Sequence, residues 1–184
     1  NGSKLFITNG SRADVIVMIA RTGSERSGRG LSAFLLTKGT PGFGVGRREE
    51  KMGLCASDTV ELIFDDCRIP KENLLGKEGS GFKIAMVALD SGRIGIASQS
   101  LGIARACLQE AVAYAKTRKQ FGRSIGSFQA IRWMIADTAA DIDAAHWLTL
   151  CAADRKDRGQ PFTREASTAK LFASDMANRA AYRA

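Results

Sequence analysis

The sequence changes its hydrophobic period near residue 80, and this change limits the folds that the chain can adopt. Up to about Pro70, short segments rich in Val, Ile and Phe alternate with glycine- and asparagine-containing turn signals, a pattern typical of β-strands. From Phe82 onward, apolar residues recur at intervals of three and four, the period of an amphipathic helix. The pattern predicts a strand region followed by a helical region.

The strand region contains five candidate strands without intervening helices. They are KLFIT, DVIVMIA, LSAFLL, FGVGRREEKMG and DTVELIFDDC. Regular spacing of this kind favours antiparallel pairing in a small β-barrel or sandwich. The segment RIPKENLLGKEGSG, with its proline and glycines, ends the pattern. We therefore predict a β-domain at residues 1–75 and a helical domain at residues 79–184.

Three helices are expected in the second region. The first runs from Phe82 to about Lys116, and the third begins near Thr163. The second starts after Ser127, a candidate N-cap, and continues to about Asp157. Long helices with short connections pack as antiparallel neighbours, so the predicted fold class is α+β with a C-terminal helical bundle.

Charge, cysteine spacing and hydropathy restrict the partners of the chain. Residues 79–184 carry 15 cationic and 9 anionic side chains, against 12 and 10 in residues 1–78, which favours a phosphate-bearing partner for the helical region. Nucleic acid is a weaker candidate, because no recognition-helix or single-strand-binding motif is present. The four cysteines lack zinc-ligand and C-x-x-C spacing, so we predict buried free thiols and no metal site. No apolar run is long enough to cross a membrane, so a soluble intracellular protein is expected.

Two helical features could bind a ligand. Asp90 and Arg93 are three positions apart on one helix face, where they can pair with each other or bind polar groups. Gly92 and other glycines nearby serve either tight helix packing or close approach of a ligand. Arg118 lies at a helix end, where the helix dipole favours a cation, and its guanidinium can also bind phosphate through two parallel hydrogen bonds.

The stretches FITNGSRAD, KMGLCASDTVELIFDDCRIPKENLLG, GFKIAMVALDSGRIGIASQSLGIA and RKQFGRSIGSFQ, in this order, resemble the acyl-CoA dehydrogenase family, especially its short-chain (butyryl-CoA) branch. The resemblance implies a partial central β-domain followed by a truncated helical bundle. It implies FAD-dependent α,β-dehydrogenation of short-chain acyl-CoA, with electron-transfer flavoprotein as acceptor and a homotetrameric parent protein. The expected location is the bacterial cytoplasm or the mitochondrial matrix.

The resemblance also implies two sets of binding residues. The FAD set comprises Phe6, Ile7, Thr8, Arg118, Phe121 and Gln129. The acyl-CoA set comprises Asp90, Ser91, Gly92 and Arg93. Within the first set, Thr8 would offer a hydrogen bond near flavin N5, and Arg118 and Gln129 would bind the FAD of a neighbouring subunit. Phe6 stands where many relatives have tryptophan.

No residue of the chain is predicted to be catalytic. In the short-chain branch the base is a Glu in a later segment, which is expected beyond Ala184. Another branch places its Glu at the position of Gly92, and glycine has no acid–base group. We therefore expect a fragment that is inactive alone. An acyl-CoA oxidase, a nitroalkane oxidase and a DNA-binding relative of the same fold are the alternatives.

Overall fold

The computed structural model of the protein describes residues 1–24 and 27–184. These residues form two compact units, Asn1–Met86 and Val87–Ala184. The first unit holds the predicted strands and the second holds most of the helical residues. The change in hydrophobic period along the sequence therefore corresponds to a change from β to α structure.

The first unit, the β-unit, contains two sheets. The strands of its first sheet are β1 (Gly2–Thr8), β4 (Phe43–Arg48) and β5 (Thr59–Phe64). Their order is β1-β5-β4, and both pairs are antiparallel. Every second residue of the central strand β5 is buried. This alternation is expected of a strand that packs one face on a core.

The strands of the second sheet are β2 (Val15–Arg21), β3 (Leu31–Thr37) and β6 (Leu74–Leu75). Their order is β2-β3-β6, and both pairs are antiparallel. The pairing of β2 with β3 is in register along the whole length of both strands. Strand β6 was not predicted, because two residues are too few to display a period.

Both sheets contribute side chains to one hydrophobic core. Leu36 of β3 is buried together with Val60 and Leu62 of β5. The rings of Phe43 and Phe64 stack at a centroid distance of 5.6 Å. The six described strands form two separate sheets and no closed barrel, so the barrel alternative is wrong and the two-sheet alternative describes the unit.

The three helices are α1 (Gly81–Thr117), α2 (Gln129–Asp157) and α3 (Thr163–Arg183), close to their predicted bounds. Ser127 does not cap α2 as predicted. The N-cap position is occupied by Phe128 without a side-chain hydrogen bond, and the Ser127 hydroxyl donates to the carbonyl of Ser124 at 2.7 Å. The hydroxyl is therefore engaged in the turn that precedes the helix.

Helices α2 and α3 pack along each other through alanines. The fully buried members are Ala145 and Ala152 on α2 and Ala166, Ala169 and Ala173 on α3. Their spacings of three, four and seven positions place each set on one helix face. We call these five residues the alanine seam.

Candidate functional site

The segment predicted to face a flavin ring lies at an irregularity in β1. The pairing of β1 with β5 is regular up to Lys4 and resumes at Ile7, with a register shift between them. At this bulge Phe6 has a φ of 59°, in the left-handed region. Phe6 is 69% exposed, Ile7 packs against the β core, and Thr8 is exposed. The bulge thus presents an aromatic ring and a hydroxyl at the surface of the β-unit.

Asp90 on α1 is the most enclosed of the predicted acyl-CoA residues, at 9% exposure. Arg93, one turn later, donates a hydrogen bond from Nη1 to Asp90 Oδ1. The hydroxyl of Thr163, the first residue of α3, donates to Asp90 Oδ2 at 2.5 Å. The N-terminal end of a helix favours a negative charge, which adds to this contact. The carboxylate therefore joins α1 to α3 and holds Arg93.

The helix face beside this ion pair is open. Gly92, Gly95 and Gly102 are exposed, and a β-carbon built on any of them meets no other atom within 4 Å among the described residues. Of the two reasons predicted for these glycines, tight packing against another described segment does not apply. Ser91 is half-buried next to the ion pair. A face of this kind can accept a thin ligand or a second chain.

A short hairpin connects α1 to α2. Its strands are β7 (Lys119–Gln120) and β8 (Arg123–Ser124), which pair antiparallel. The connecting residues Phe121 and Gly122 have φ values of 51° and 73°. Two positive φ values in a two-residue loop define a type I′ turn, whose first position favours Asn, Asp or Gly. A phenylalanine there costs about 1–2 kcal/mol of backbone strain.

The hairpin displays Phe121 at its tip. The side chain is 90% exposed, and its ring meets the ring of Phe128 edge-on at a centroid distance of 6.1 Å. The guanidinium carbon of Arg123 lies 4.3 Å from the centroid of the same Phe128 ring. Phe128 therefore contacts both the Phe121 ring and the Arg123 guanidinium.

Arg118 and Gln129 flank this hairpin at the two helix ends. The backbone N–H of Arg118 donates to Tyr114 at 2.9 Å, and its carbonyl accepts from Ile125 at 2.9 Å. Its guanidinium is exposed and makes no hydrogen bond or ion pair with any described residue. Gln129 is also exposed, at the start of α2. The backbone of Arg118 is thus fixed, while its charge is free to bind an anion.

Residues 1–24 and 27–184 contain neither a cluster of metal-ligating side chains nor a membrane-spanning helix. No group of three or more His, Cys, Asp or Glu residues there could hold a metal ion, and none of the described helices is long and apolar enough to cross a membrane. All four cysteines are free. The prediction that they are buried is wrong for Cys55 and Cys151, which are exposed.

Asp58 is a buried carboxylate that sequence reasoning missed, at 3% exposure. Its Oδ2 accepts hydrogen bonds from the Ser11 hydroxyl at 2.5 Å and the Ser11 N–H at 3.4 Å. Its Oδ1 is buried without a partner among the described residues. The Ser11 hydroxyl lowers the pKa of Asp58, burial acts in the opposite direction, and the Ser11 amide, Arg48 and Arg12 lower it further. The carboxyl is therefore ionised at neutral pH.

Thr163 was also missed as a site residue. It was assigned only as a helix start, and its partner Asp90 is 73 positions away in the chain. Its place after a proline, at a predicted helix N-terminus, indicates a hydroxyl near a helix end. No sequence pattern connects that hydroxyl to a particular carboxylate on another helix.

Two family models match the chain. The model for the acyl-CoA dehydrogenase C-terminal domain matches residues 79–184. The model for the acyl-CoA dehydrogenase middle domain matches residues 1–67. The matches follow the same order as the helical and strand regions of the sequence.

Individual proteins resemble the chain over nearly its whole length. The mitochondrial short-chain specific acyl-CoA dehydrogenase of Mus musculus is 50% identical over 184 residues, which are 100% of this chain and 45% of that protein. The structure of butyryl-CoA dehydrogenase from Megasphaera elsdenii superposes with a TM-score of 0.95 at 51% identity, over 98% of this chain and 47% of that chain. A structure described as the electron transferring flavoprotein of Acidaminococcus fermentans superposes with a TM-score of 0.93 at 57% identity, over 96% of this chain and 46% of that chain.

The chain spans about half the length of the curated relatives it matches. Within that span, the C-terminal-domain model alone accounts for residues 79–184, more than half of the chain. The fold likewise agrees with that of butyryl-CoA dehydrogenase, at a TM-score of 0.95 over 98% of this chain. The chain therefore belongs to the acyl-CoA dehydrogenase family.

Proposed function

We propose that the complete protein catalyses the FAD-dependent α,β-dehydrogenation of short-chain acyl-CoA thioesters. In this proposal the chain supplies part of the flavin site and part of the acyl-CoA site. The observation that carries it is the identity of about half of all residues with short-chain specific relatives, along the whole chain. Because fold alone does not define activity, the side chains of the two sites must also fit their ligands.

The exposed groups of the chain fit the chemistry of FAD. A pyrophosphate needs a permanent cation with paired donors, and the free guanidinium of Arg118 is such a group. The exposed ring of Phe121 and the amide of Gln129 offer a flat apolar surface and further hydrogen bonds. On the β-unit, Phe6 and Thr8 offer the same combination of ring and polar group to an isoalloxazine. In the proposal Phe6 and Thr8 would contact one FAD, whereas Arg118 and Gln129, with Phe121 between them in the chain, would contact the FAD of a neighbouring subunit.

The Asp90–Arg93 pair fits the polar part of an acyl-CoA. One hydrogen bond holds the guanidinium of Arg93 to Asp90, which leaves other N–H donors of the guanidinium for a ligand. Because both oxygens of Asp90 already accept hydrogen bonds, we infer that Asp90 mainly orients Arg93. Ser91 and the open face at Gly92 would lie beside the bound thioester.

The reaction removes a proton from the α-carbon and a hydride from the β-carbon of the thioester. Bound FAD supplies the hydride acceptor. The residues of this chain bind and orient the two reactants in the proposal, and none is assigned as the base. Gly92 cannot take that role because it has no titratable group.

The partners of the complete protein follow from the same resemblance. We propose that it forms a homotetramer, that it passes electrons to an electron-transfer flavoprotein, and that it works in the bacterial cytoplasm or the mitochondrial matrix. Mitochondrial and bacterial relatives support the two locations, and the match to a structure described as an electron transferring flavoprotein supports the acceptor. The homotetramer is implied by the resemblance alone. Neither nucleic acid nor a membrane is a partner in the proposal.

The first experiment measures FAD affinity in the complete gene product that contains residues 1–184. Arg118→Met should weaken FAD binding about 10- to 100-fold, because charge-assisted hydrogen bonds to phosphate are lost. The FAD affinity of Arg118→Lys should lie between those of Arg118→Met and the wild type, since lysine keeps the charge without the planar pair of donors. Arg105→Met, at an exposed arginine within α1, is the control and should bind FAD normally. Equal affinities of Arg118→Met and the wild type would contradict the flavin assignment.

The second experiment measures the rate against acyl chain length with an artificial electron acceptor. We expect the highest kcat/KM with saturated acyl groups of about four to six carbons, as the resemblance to short-chain relatives implies. A maximum at long or aromatic acyl groups would reject the substrate assignment. Rapid reoxidation of the reduced protein by air would favour the oxidase alternative.

A further inference from the structure

Asp58 and the loop that follows β1 are joined by three contacts in sequence. Thr8, the last residue of β1, pairs with Thr59 of β5, directly after Asp58. The N–H of Asn9 donates to the Asp58 carbonyl at 3.0 Å. The Ser11 hydroxyl then donates to the Asp58 carboxylate at 2.5 Å. The chain from Thr8 to Ser11 therefore lies across Asp58 and is bonded to it through backbone and side chain.

The loop itself leaves little freedom for other conformations. Asn9 has a φ of 58°, and its carbonyl accepts hydrogen bonds from the N–H groups of Arg12 and Ala13 at 3.0 and 2.9 Å. Gly10 is buried against β5, where a β-carbon would approach Val60 Cγ2 to 2.6 Å. The loop is thus a compact turn in close contact with the core strand. Its position determines how β1 ends.

The carboxylate of Asp58 is a charged group in a buried position, and its hydrogen bonds to described residues satisfy only one of its two oxygens. A buried charge is expensive unless it is paired, and one oxygen of Asp58 has no partner among the described residues. Arg48 and Arg12 supply positive charge around it, and the pKa of Asp58 is lowered. An ionised acceptor holds the Ser11 hydroxyl more strongly than a neutral one does. The ionised carboxylate of Asp58 thus holds the loop after β1 through Ser11.

We propose that Asp58 is a positioning residue which, through Ser11, fixes the turn after β1 and thereby orients Phe6 and Thr8 towards the flavin. Between the bulge at Phe6 and the anchored turn at Ser11 the chain has only four residues, so movement of one end changes the direction of Thr8. The inference rests on the proposed function, because it takes the flavin as the group that Phe6 and Thr8 contact. It adds two positioning residues, Asp58 and Ser11, to the residues that the resemblance assigns to the flavin site.

The test uses the complete gene product with three kinds of variant. Ser11→Ala removes the hydroxyl, Asp58→Asn removes the charge, and Ser11→Thr keeps the hydroxyl as a rescue. Ser3→Ala on β1 and Asp66→Asn, both at exposed positions, are matched controls. If Asp58→Asn does not fold, Ser11→Ala still tests the proposal, because it deletes a single oxygen.

Three quantities are measured: hydrogen exchange of the amides of residues 7–13 without flavin, the Kd for FAD, and the visible absorption band of bound flavin. Ser11→Ala should raise the hydrogen-exchange rate of the loop amides and the Kd for FAD about tenfold each, because a charge-assisted hydrogen bond is lost. It should also shift the flavin band, since Thr8 changes direction. Ser11→Thr should stay within about twofold of the wild type, as should both controls.

Two outcomes would overturn the inference alone: unchanged loop exchange in Ser11→Ala, or raised exchange with an unchanged Kd and flavin band. The second of these would mean that the anchor serves only the fold. Failure of the wild type to bind FAD would overturn both this inference and the proposed function. The wild-type titration therefore distinguishes failure of the proposed function from failure of the positioning role.

Discussion

Replacement of Thr163 by valine removes one of the two hydrogen bonds to Asp90 and changes little else in the second unit. Valine has nearly the shape of threonine, so the only group lost is the hydroxyl that donates to Asp90 Oδ2 at 2.5 Å. Arg93 remains bonded to the other oxygen. The change therefore isolates the contact between α1 and the first residue of α3.

The expected loss of stability follows from the surroundings of this bond. A hydrogen bond to a charged group contributes about 1.5–3 kcal/mol. Asp90 is nearly buried, whereas Thr163 is exposed, so water replaces part of the lost contact. We expect a decrease of about 1–2 kcal/mol in the free energy of unfolding, or about 3–6 °C in Tm for a chain of this size.

The assay is urea and thermal unfolding followed by circular dichroism, with two comparison variants. Thr163→Ser keeps the hydroxyl and should remain within about 0.5 kcal/mol of the wild type. Thr168→Val makes the same chemical change at an exposed position of α3 and should also be nearly neutral. If Thr163→Val and Thr168→Val unfold alike, the bond to Asp90 does not stabilise the fold and the reasoning is refuted.

Three further predictions concern the β-unit and the hairpin. Gly10→Ala should destabilise the protein by about 1–3 kcal/mol in urea unfolding, because the new methyl group meets buried Val60; an unchanged midpoint would contradict this. Asp58 has a folded-state pKa below its usual 3.8, so its stabilisation is complete above that pH and is lost as the pH falls through the lowered value. The stability advantage of wild type over Asp58→Asn should therefore shrink only below about pH 4, and a pH-independent difference would refute it. Phe121→Asn should change the free energy of unfolding by less than about 1 kcal/mol, because relief of backbone strain offsets the lost ring contact. The same variant should bind FAD more weakly, and an unchanged affinity would contradict the assignment of Phe121 to the flavin site.

Regular local patterns made most of the fold predictable. Helix bounds followed from apolar spacing, and strand positions from short Val- and Ile-rich segments between turns. The failures came from interactions that the local pattern does not contain. Ser127 looked like an N-cap, but its hydroxyl bonds to Ser124 within the preceding turn. Barrel closure depends on which strand edges meet, and the six described strands of the β-unit form two sheets.

The candidate site was predictable to the extent that its partners lie close in sequence. The three-residue spacing of Asp90 and Arg93 allowed for the ion pair that the structure shows. Their roles in binding stay predictions. The bond from Thr163 to Asp90 joins distant positions, so periodicity could not reveal it. The side chain of Asp58 likewise meets Ser11, 47 positions away.

The alanine seam between α2 and α3 has a thermodynamic consequence. Alanine has no rotamers to lose, so burial of the five seam residues carries almost no side-chain entropy cost. Methyl groups also allow a short distance between the helix axes, and no flexible side chain at the seam can move aside. Ala169, the middle one of the three seam residues on α3, is fully buried, so an added methylene there would have to displace packed neighbours. A larger side chain at position 169 would therefore displace a whole helix.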